Sequence, residues 1–223
     1  MPSFYRYFSE KHAHAFVQKG EVLFRALSYF RNYEDGEVRG DKFEGTLVHL
    51  PDNGLVAKNV NTEREVLLSH RFESTAKKED DIFVYCMSQT LSAELAERFK
   101  AEVVVEITNP AKFLDFVRLA LSLRKRFRVN QLIHEPVKYY EWNEPPIVDW
   151  ALPERIAIRK PKMLEWQCEY RIAVPIGDAF DVQNVNVNLV PVHQSRTSEA
   201  KSYPKQLIRL GNLSKISRVH SMK

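Results

Sequence analysis

Apolar residues in this chain recur in short bursts separated by turn signals, with only one long helical period among them. Tyr5 to Phe8 reads as a first strand, and residues 10–18 as a helix that Ser9 can cap and Gly20 can end. A second strand follows at 22–26. Residues 46–50, 55–58 and 65–72 alternate or cluster apolar side chains around turns such as Pro51-Asp52-Asn53-Gly54, the pattern of meandering strands in a small antiparallel sheet. The β-branched runs at 82–87 and 102–107 suit central strands, and a helix capped by Ser92 fits between them at 92–100. Residues 110–127 give the clearest helix: Phe113, Phe116, Val117, Ala120 and Leu121 form one apolar stripe behind the Asn109-Pro110 start. Further strands are predicted at 137–140, 169–174, 181–190 and 206–210, with a helical turn at 162–166 and a turn at Asn143-Glu144-Pro145-Pro146. Helices interspersed with meandering strands predict an α+β fold: a single domain over 1–223, with a central mixed or antiparallel sheet and a few flanking helices.

Residues 28–45 break the pattern. This stretch of 18 residues holds three glycines, several aromatics and many charges, whereas an ordinary connection runs to about 4–6 residues, so it reads as a binding loop. No apolar run approaches the ~20 residues of a membrane span, and the start lacks the basic and apolar parts of a secretory leader, which predicts a cytoplasmic protein that does not enter a membrane. Only Cys86 and Cys168 are present. Both have apolar flanks and read as reduced core thiols, although they could pair if the fold brought them together. The net charge is +4, yet residues 196–223 carry seven basic side chains against Glu199 alone. That basic C-terminal segment holds +6 and leaves the rest of the chain at −2. Arg124, Lys125, Arg126 and Arg128 form a second basic cluster, which suits either the negative end of a helix dipole or phosphate binding.

Several chemistries lack their motifs. There is no phosphate-binding G-x-x-x-x-G-K-[ST] loop, no G-x-G-x-x-G fingerprint and no G-x-S-x-G nucleophile elbow. His12 and His14 stand two apart on a predicted helix, where their side chains diverge, so no metal site is expected there. Asp35, Asp41, Glu44 and Glu169 could gather magnesium, but loop carboxylates are ordinarily solvated.

Three pieces carry polar groups that packing alone would not request: Tyr5-Arg6-Tyr7, Tyr85-Cys86-Met87-Ser88, and Lys162 with Trp166-x-x-Glu169-Tyr170-Arg171. Together they resemble the uncharacterised bacterial and phage family numbered two-nine-seven-one among domains of unknown function. The family's Asn-Asp-Pro-Phe-Glu loop is represented only by Gly40-Asp41-Lys42-Phe43-Glu44-Gly45. A looser resemblance is to ADP-ribosyltransferases of the Arg-Ser-Glu type, since Arg6, Ser88 and Glu169 occur in that order, although the usual Glu-x-Glu is absent. The resemblance implies a cleft that binds NAD as substrate, without a metal, and modifies a macromolecular target in a toxin or phage-defence setting. Glu169 would be the catalytic carboxylate beside the developing oxocarbenium, Arg6 a pyrophosphate ligand and Ser88 a positioning group. Tyr29, Arg39, Thr90 and Arg171 would be cofactor contacts. The bland alternative makes Glu169 and Arg171 a cross-strand ion pair on the sheet's outer face, with Trp166 as a core anchor. The functional alternative is a non-catalytic module that binds nucleic acid through Arg124, Lys125, Arg126, Arg128 and the basic C-terminal segment, or that inhibits a protein partner.

Overall fold

The computed structural model describes residues 3–31, 42–194 and 202–222. In chain order the elements are β1 (Phe4–Phe8), α1 (Glu10–Lys19), β2 (Glu21–Ala26), α2 (Leu27–Arg31), β3 (Thr46–His49), β4 (Leu55–Lys58), β5 (Glu65–Leu68), β6 (His70–Ala76), β7 (Ile82–Ser88), α3 (Ala93–Arg98) and β8 (Val103–Ile107). There follow α4 (Pro110–Ser122), β9 (Ile133–Pro136), β10 (Lys138–Tyr140), α5 (Pro153–Ile156), β11 (Arg159–Pro161), β12 (Glu169–Pro175), β13 (Val185–Pro191), β14 (Lys205–Arg209) and β15 (Ser217–Ser221). The fold is α+β.

An eight-stranded antiparallel sheet curls around β7. β12 lies along the whole of one edge of β7 and carries β9 outside it. The other edge of β7 is shared: β2 pairs near its start, with β14 beyond, and β1 touches its end at Tyr5↔Ser88, with β8 and β15 beyond. β7 and β12 are almost wholly buried because both of their faces are covered, and their near-continuous apolar runs follow from that.

One face packs under α1 and α4. Phe4, Phe24, Phe83, Tyr85, Val105 and Ile172 meet Phe16, Phe113 and Val117 there. Burial pushes the Tyr85 hydroxyl up to about 12. The opposite face carries two smaller apolar clusters. One joins Val84 and Ala173 to Leu27, Leu47, Tyr140 and Ile156 under the three-stranded sheet β13-β6-β3. The other joins Tyr7 and Val104 to Leu95 and Ala96 of α3.

Several elements depart from the sequence pattern. Ser28 does not open a loop: it is buried in α2 and bonds Asp80, while Arg31 bonds Glu79 and the Glu44 carbonyl. The middle of the predicted 28–45 loop lies outside the described residues. Ser9 makes no side-chain cap on α1 and bonds His12 instead, whereas Gly20 does end the helix at φ +62°. The helix from Pro110 stops at Ser122, and the chain then turns so that Phe127 packs edge-on against Phe83, 5.3 Å between ring centroids. The basic C-terminal segment is not a solvated tail where it is described. β14 and β15 are sheet strands at opposite ends of the order, which divides the charge between two surfaces. β9 and β15 have no strong period of their own and exist through the neighbours they pair with.

Candidate functional site

Side chains alternate along β12, so Tyr170, Ile172 and Val174 enter the helix-covered core while Glu169, Arg171 and Ala173 face the second layer. Between the two apolar clusters of that layer lies a polar island. Arg171 is at its centre with no exposed surface. Its Nε donates to Glu169 Oε1 at 2.7 Å, and its two terminal nitrogens grip both oxygens of Glu44 at 2.6 and 2.7 Å. Arg171 Nη1 also donates to the Ala157 carbonyl at 2.7 Å. Lys160 donates to Glu169 Oε2 at 2.7 Å and to Gln167 Oε1 at 2.8 Å, and stands 3.9 Å from Glu44. The Glu169 amide donates to the Tyr139 hydroxyl at 2.9 Å.

Two buried cations and two buried carboxylates therefore balance, and no polar atom of these four side chains is left without a partner. Such balance is what allows charge in an interior of low dielectric. Burial alone would raise the Glu169 carboxyl, but the Arg171 and Lys160 charges overcome it and hold the group well below the usual carboxylate range. Burial likewise works against the charge on Arg171, and Glu169 and Glu44 more than reverse it. The neighbouring Cys86 thiol and Tyr139 hydroxyl are pushed up by burial and then by the Glu169 charge. An ionised carboxylate clamped by two cations is a poor general base. As it stands, the island fastens β12 to β11 and to the chain around Glu44.

The structure brings some of the predicted site residues together and separates others. Ser88 sits directly across from Glu169 in the β7–β12 register, buried, with its hydroxyl donating to the Gln167 carbonyl at 3.1 Å. Thr90, exposed just past β7, donates its amide to Ser88 Oγ at 3.2 Å and accepts from Tyr7 through its carbonyl. Arg6 does not join them. Tyr5 is the residue in register with Ser88, so Arg6 next to it points to the opposite face. There its guanidinium lies 5.1 Å from the centroid of Tyr85 and 5.6 Å from that of Phe8, donating to the Cys86 carbonyl at 2.7 Å. Tyr29 stacks edge-on with Phe30 and Tyr203 under the Arg25 guanidinium. Arg39 lies outside the described residues, as do Asp35 and Asp41 of the suggested magnesium set. The other two carboxylates of that set, Glu44 and Glu169, are both held by Arg171.

The Glu169–Arg171 pair, which the bland alternative set cross-strand on an outer face, is interior and belongs to one strand. Lys160, Gln167 and Tyr139 are not among the candidate site residues read from the sequence. Lys160 and Lys162 look alike in the run Arg159-Lys160-Pro161-Lys162. Only Lys160 is buried, while Lys162 is exposed and pairs with Glu141. The pairing of Pro161 with Tyr140 continues the short β10–β11 ladder that turns Lys160 inward, a contact with no local signal. The two thiols stay apart. Cys86 is opposite Arg171, three register steps from Cys168, a separation of about 10 Å along the strand.

A second arrangement lies at the end of α4. The buried stripe of this helix is Phe113, Leu114, Val117 and Leu121, while Phe116 and Ala120 are only partly covered and, with Leu119 and Leu123, line a groove of about 490 Å³ against Leu207 and Leu210. Leu119 is 64% exposed and Leu123 77%. Cations rim this groove from two distant parts of the sequence. Arg126 Nη2 donates to Gln206 Oε1 at 2.6 Å, tying the 124–128 cluster to β14. Arg209 pairs with Glu21 at 3.2 Å yet remains largely exposed. Arg124, Lys125, Arg128 and Lys205 are exposed and make no ion pair among the described residues. β14 is bonded to β2 on one side and to no described strand on the other, so it is an edge.

Compared with family models, with curated proteins and with solved structures, the chain matches none.

Proposed function

We propose that the protein is a binding module whose α4–β14 face takes an acidic, extended segment of a protein partner. The carrying observation is an apolar groove lined by Arg124 and Arg209, with Arg126 bonded to Gln206 of β14, beside an unpaired strand edge. A strand added along β14 would offer alternate side chains to the two faces of the sheet. Those on the α4 side would meet Leu119, Leu123 and Arg124, and those on the other side the row Lys205, Leu207 and Arg209, of which Leu207 and Arg209 also reach the groove. A segment alternating apolar and acidic residues satisfies both rows, through area burial on one and Coulomb attraction on the other. Apart from half-buried Phe116 the groove is lined by aliphatic side chains and arginines, whereas sequence-tolerant binding of single-stranded nucleic acid relies on exposed rings for stacking. An acidic peptide therefore fits better than nucleic acid.

The test uses a fluorescein-labelled decapeptide of alternating Val and Glu, a Val/Lys version and a labelled oligo(dT), each titrated by anisotropy at two salt concentrations. The Val/Glu peptide should bind, the Val/Lys peptide should not, and Leu123→Asp or Arg124→Glu should weaken binding at least tenfold. Oligo(dT) binding with a steep salt slope and no peptide binding would replace this reading by the nucleic-acid one. Failure of both probes would remove it. Charge reversal is the sound perturbation, because deleting residues 196–223 would take β14 and β15 out of the sheet.

The placement of Ser88 opposite Glu169 favours a second reading, transfer of ADP-ribose from NAD to a macromolecule, with Glu169 catalytic, Ser88 and Thr90 near the ribose and Tyr29, Arg39 and Arg171 as contacts. It requires Glu169 to leave Arg171 and Lys160 before it can act, and Arg6 serves no role on this face. Nicotinamide release by wild type that vanishes in a folded Glu169→Gln variant would support it. No release by wild type with a cell lysate as acceptor would end it.

A further inference from the structure

We propose that the protein self-associates through β13, two copies pairing antiparallel about a twofold axis at Val187. β13 is bonded to β6 on one side, and no described strand covers its other side. Asn186, Val187, Asn188 and Leu189 are all exposed, with Val187 and Leu189 more than half so. Exposed strand edges are ordinarily protected by charge, because a bare edge recruits another strand. Among the described strands, the other free edges of the eight-stranded sheet carry charge, which disfavours pairing with a like-charged copy. β14 carries Lys205 and Arg209, β15 carries Arg218, and β9 carries Glu135. The remaining edge of the small sheet, β3, is covered at Val48, whose amide donates to the Tyr140 hydroxyl at 2.9 Å. Residues 182–192 contain no charged side chain.

The sequence of β13 identifies a second copy as the occupant. Val185-Asn186-Val187-Asn188-Leu189 reads nearly the same in both directions, as an isologous antiparallel contact requires. Centred on Val187, the register sets Val185 against Leu189 and Asn186 against Asn188 of the other copy, apolar facing apolar and amide facing amide. The same operation on β14 would set Lys205 against Arg209, and on β15 Arg218 against His220, cationic or proton-binding groups facing each other. The edge is also held ready to pair. Buried Arg71, fixed by Glu73 at 2.7 Å, donates to the Val192 carbonyl at 2.8 Å and to the Gln194 carbonyl at 3.1 Å. At the other end the Lys77 amide donates to the Asn184 carbonyl at 2.8 Å. Pairing would join two three-stranded sheets into one of six strands. A five-residue ladder buries less than the ~1,200 Å² of a standard interface, so the dimer should be weak and concentration-dependent.

Sedimentation velocity of the full chain from about 1 to 300 µM is the experiment. Wild type should shift from monomer toward dimer across that range. Val187→Lys places two ammonium groups on the axis and should weaken association at least tenfold, and Leu189→Lys should weaken it likewise, whereas Val187→Thr should retain it. Circular dichroism checks that each variant is folded, which the exposure of both positions favours. A monomer at every concentration would overturn the proposal, as would a dimer that survives both lysine substitutions unchanged.

Discussion

Replacing Arg171 by Met removes the centre of the polar island while roughly preserving length. Glu44 and Glu169 then face Lys160 alone, one buried negative charge goes unbalanced, and the Ala157 carbonyl loses a donor. Removing one partner from a buried ion pair costs about 3–5 kcal/mol. For a domain of this size about 2–4 °C of melting temperature goes with each kcal/mol, so the fall should be about 6–20 °C. The sharper test is Glu44→Gln. In wild type it leaves Arg171 and Lys160 against Glu169 and should destabilise. In the Arg171→Met background it removes the surplus anion and leaves Lys160 paired with Glu169, so it should restore about 1–3 kcal/mol. The sign of one substitution thus inverts with the other. Urea unfolding of the four proteins, followed by circular dichroism and tryptophan fluorescence, reads all the differences.

The pH dependence of the same variants supplies a second signature. In wild type the folded Glu169 carboxyl is depressed, so its contribution is present above the ordinary value near 4.5 and is lost only as pH falls through the folded value. Between pH 8 and pH 5 this group leaves wild type unchanged. In Arg171→Met the surplus buried carboxyl is raised instead, so the variant regains stability as pH falls through its folded value, and the gap to wild type narrows. Additive losses in the double variant, or a gap that widens toward pH 5, would refute the balanced-charge account.

Gly20→Ala should destabilise by more than about 1–2 kcal/mol: its φ of +62° disfavours any side chain, and a Cβ would lie 2.4 Å from the Gly211 carbonyl oxygen, a contact with backbone that has little room to yield. Thermal melts measure this, and a loss under 0.5 kcal/mol would contradict the close approach. Asn109→Ala should cost about 1 kcal/mol, since the Asn109 side chain accepts from the Lys112 amide at the start of α4, and Asn109→Ser should recover most of it in urea titrations. Mild oxidation should leave no Cys86–Cys168 bridge within a chain, because about 10 Å of strand exceeds disulfide reach; intact-mass measurement with and without reductant decides this.

The sequence by itself determined what local period and punctuation can encode. The alternation of β12, the buried runs of β7 and β8, the capped start of α4 and the stop at Gly20 are each written within a few residues, and with them the α+β class. It did not determine partners. The period of two shows that Glu169 and Arg171 share a face and that Arg6 and Tyr5 do not, but it cannot say that Tyr5 rather than Arg6 is in register with Ser88. Nor can it separate Lys160 from Lys162, because whether a charge enters the interior depends on counter-charges supplied from elsewhere. For Arg171 one of these is Glu44, 127 positions earlier. The groove between α4 and β14 has the same origin. The two cations that line it, Arg124 and Arg209, are 85 residues apart in the chain, and Arg126 and Gln206 link their segments. Only the pairing of β14 with β2 and the packing of α4 on the same face set them side by side. Strand pairing and charge burial are settled by the free energy of the whole packed arrangement, and the tertiary structure alone decided them.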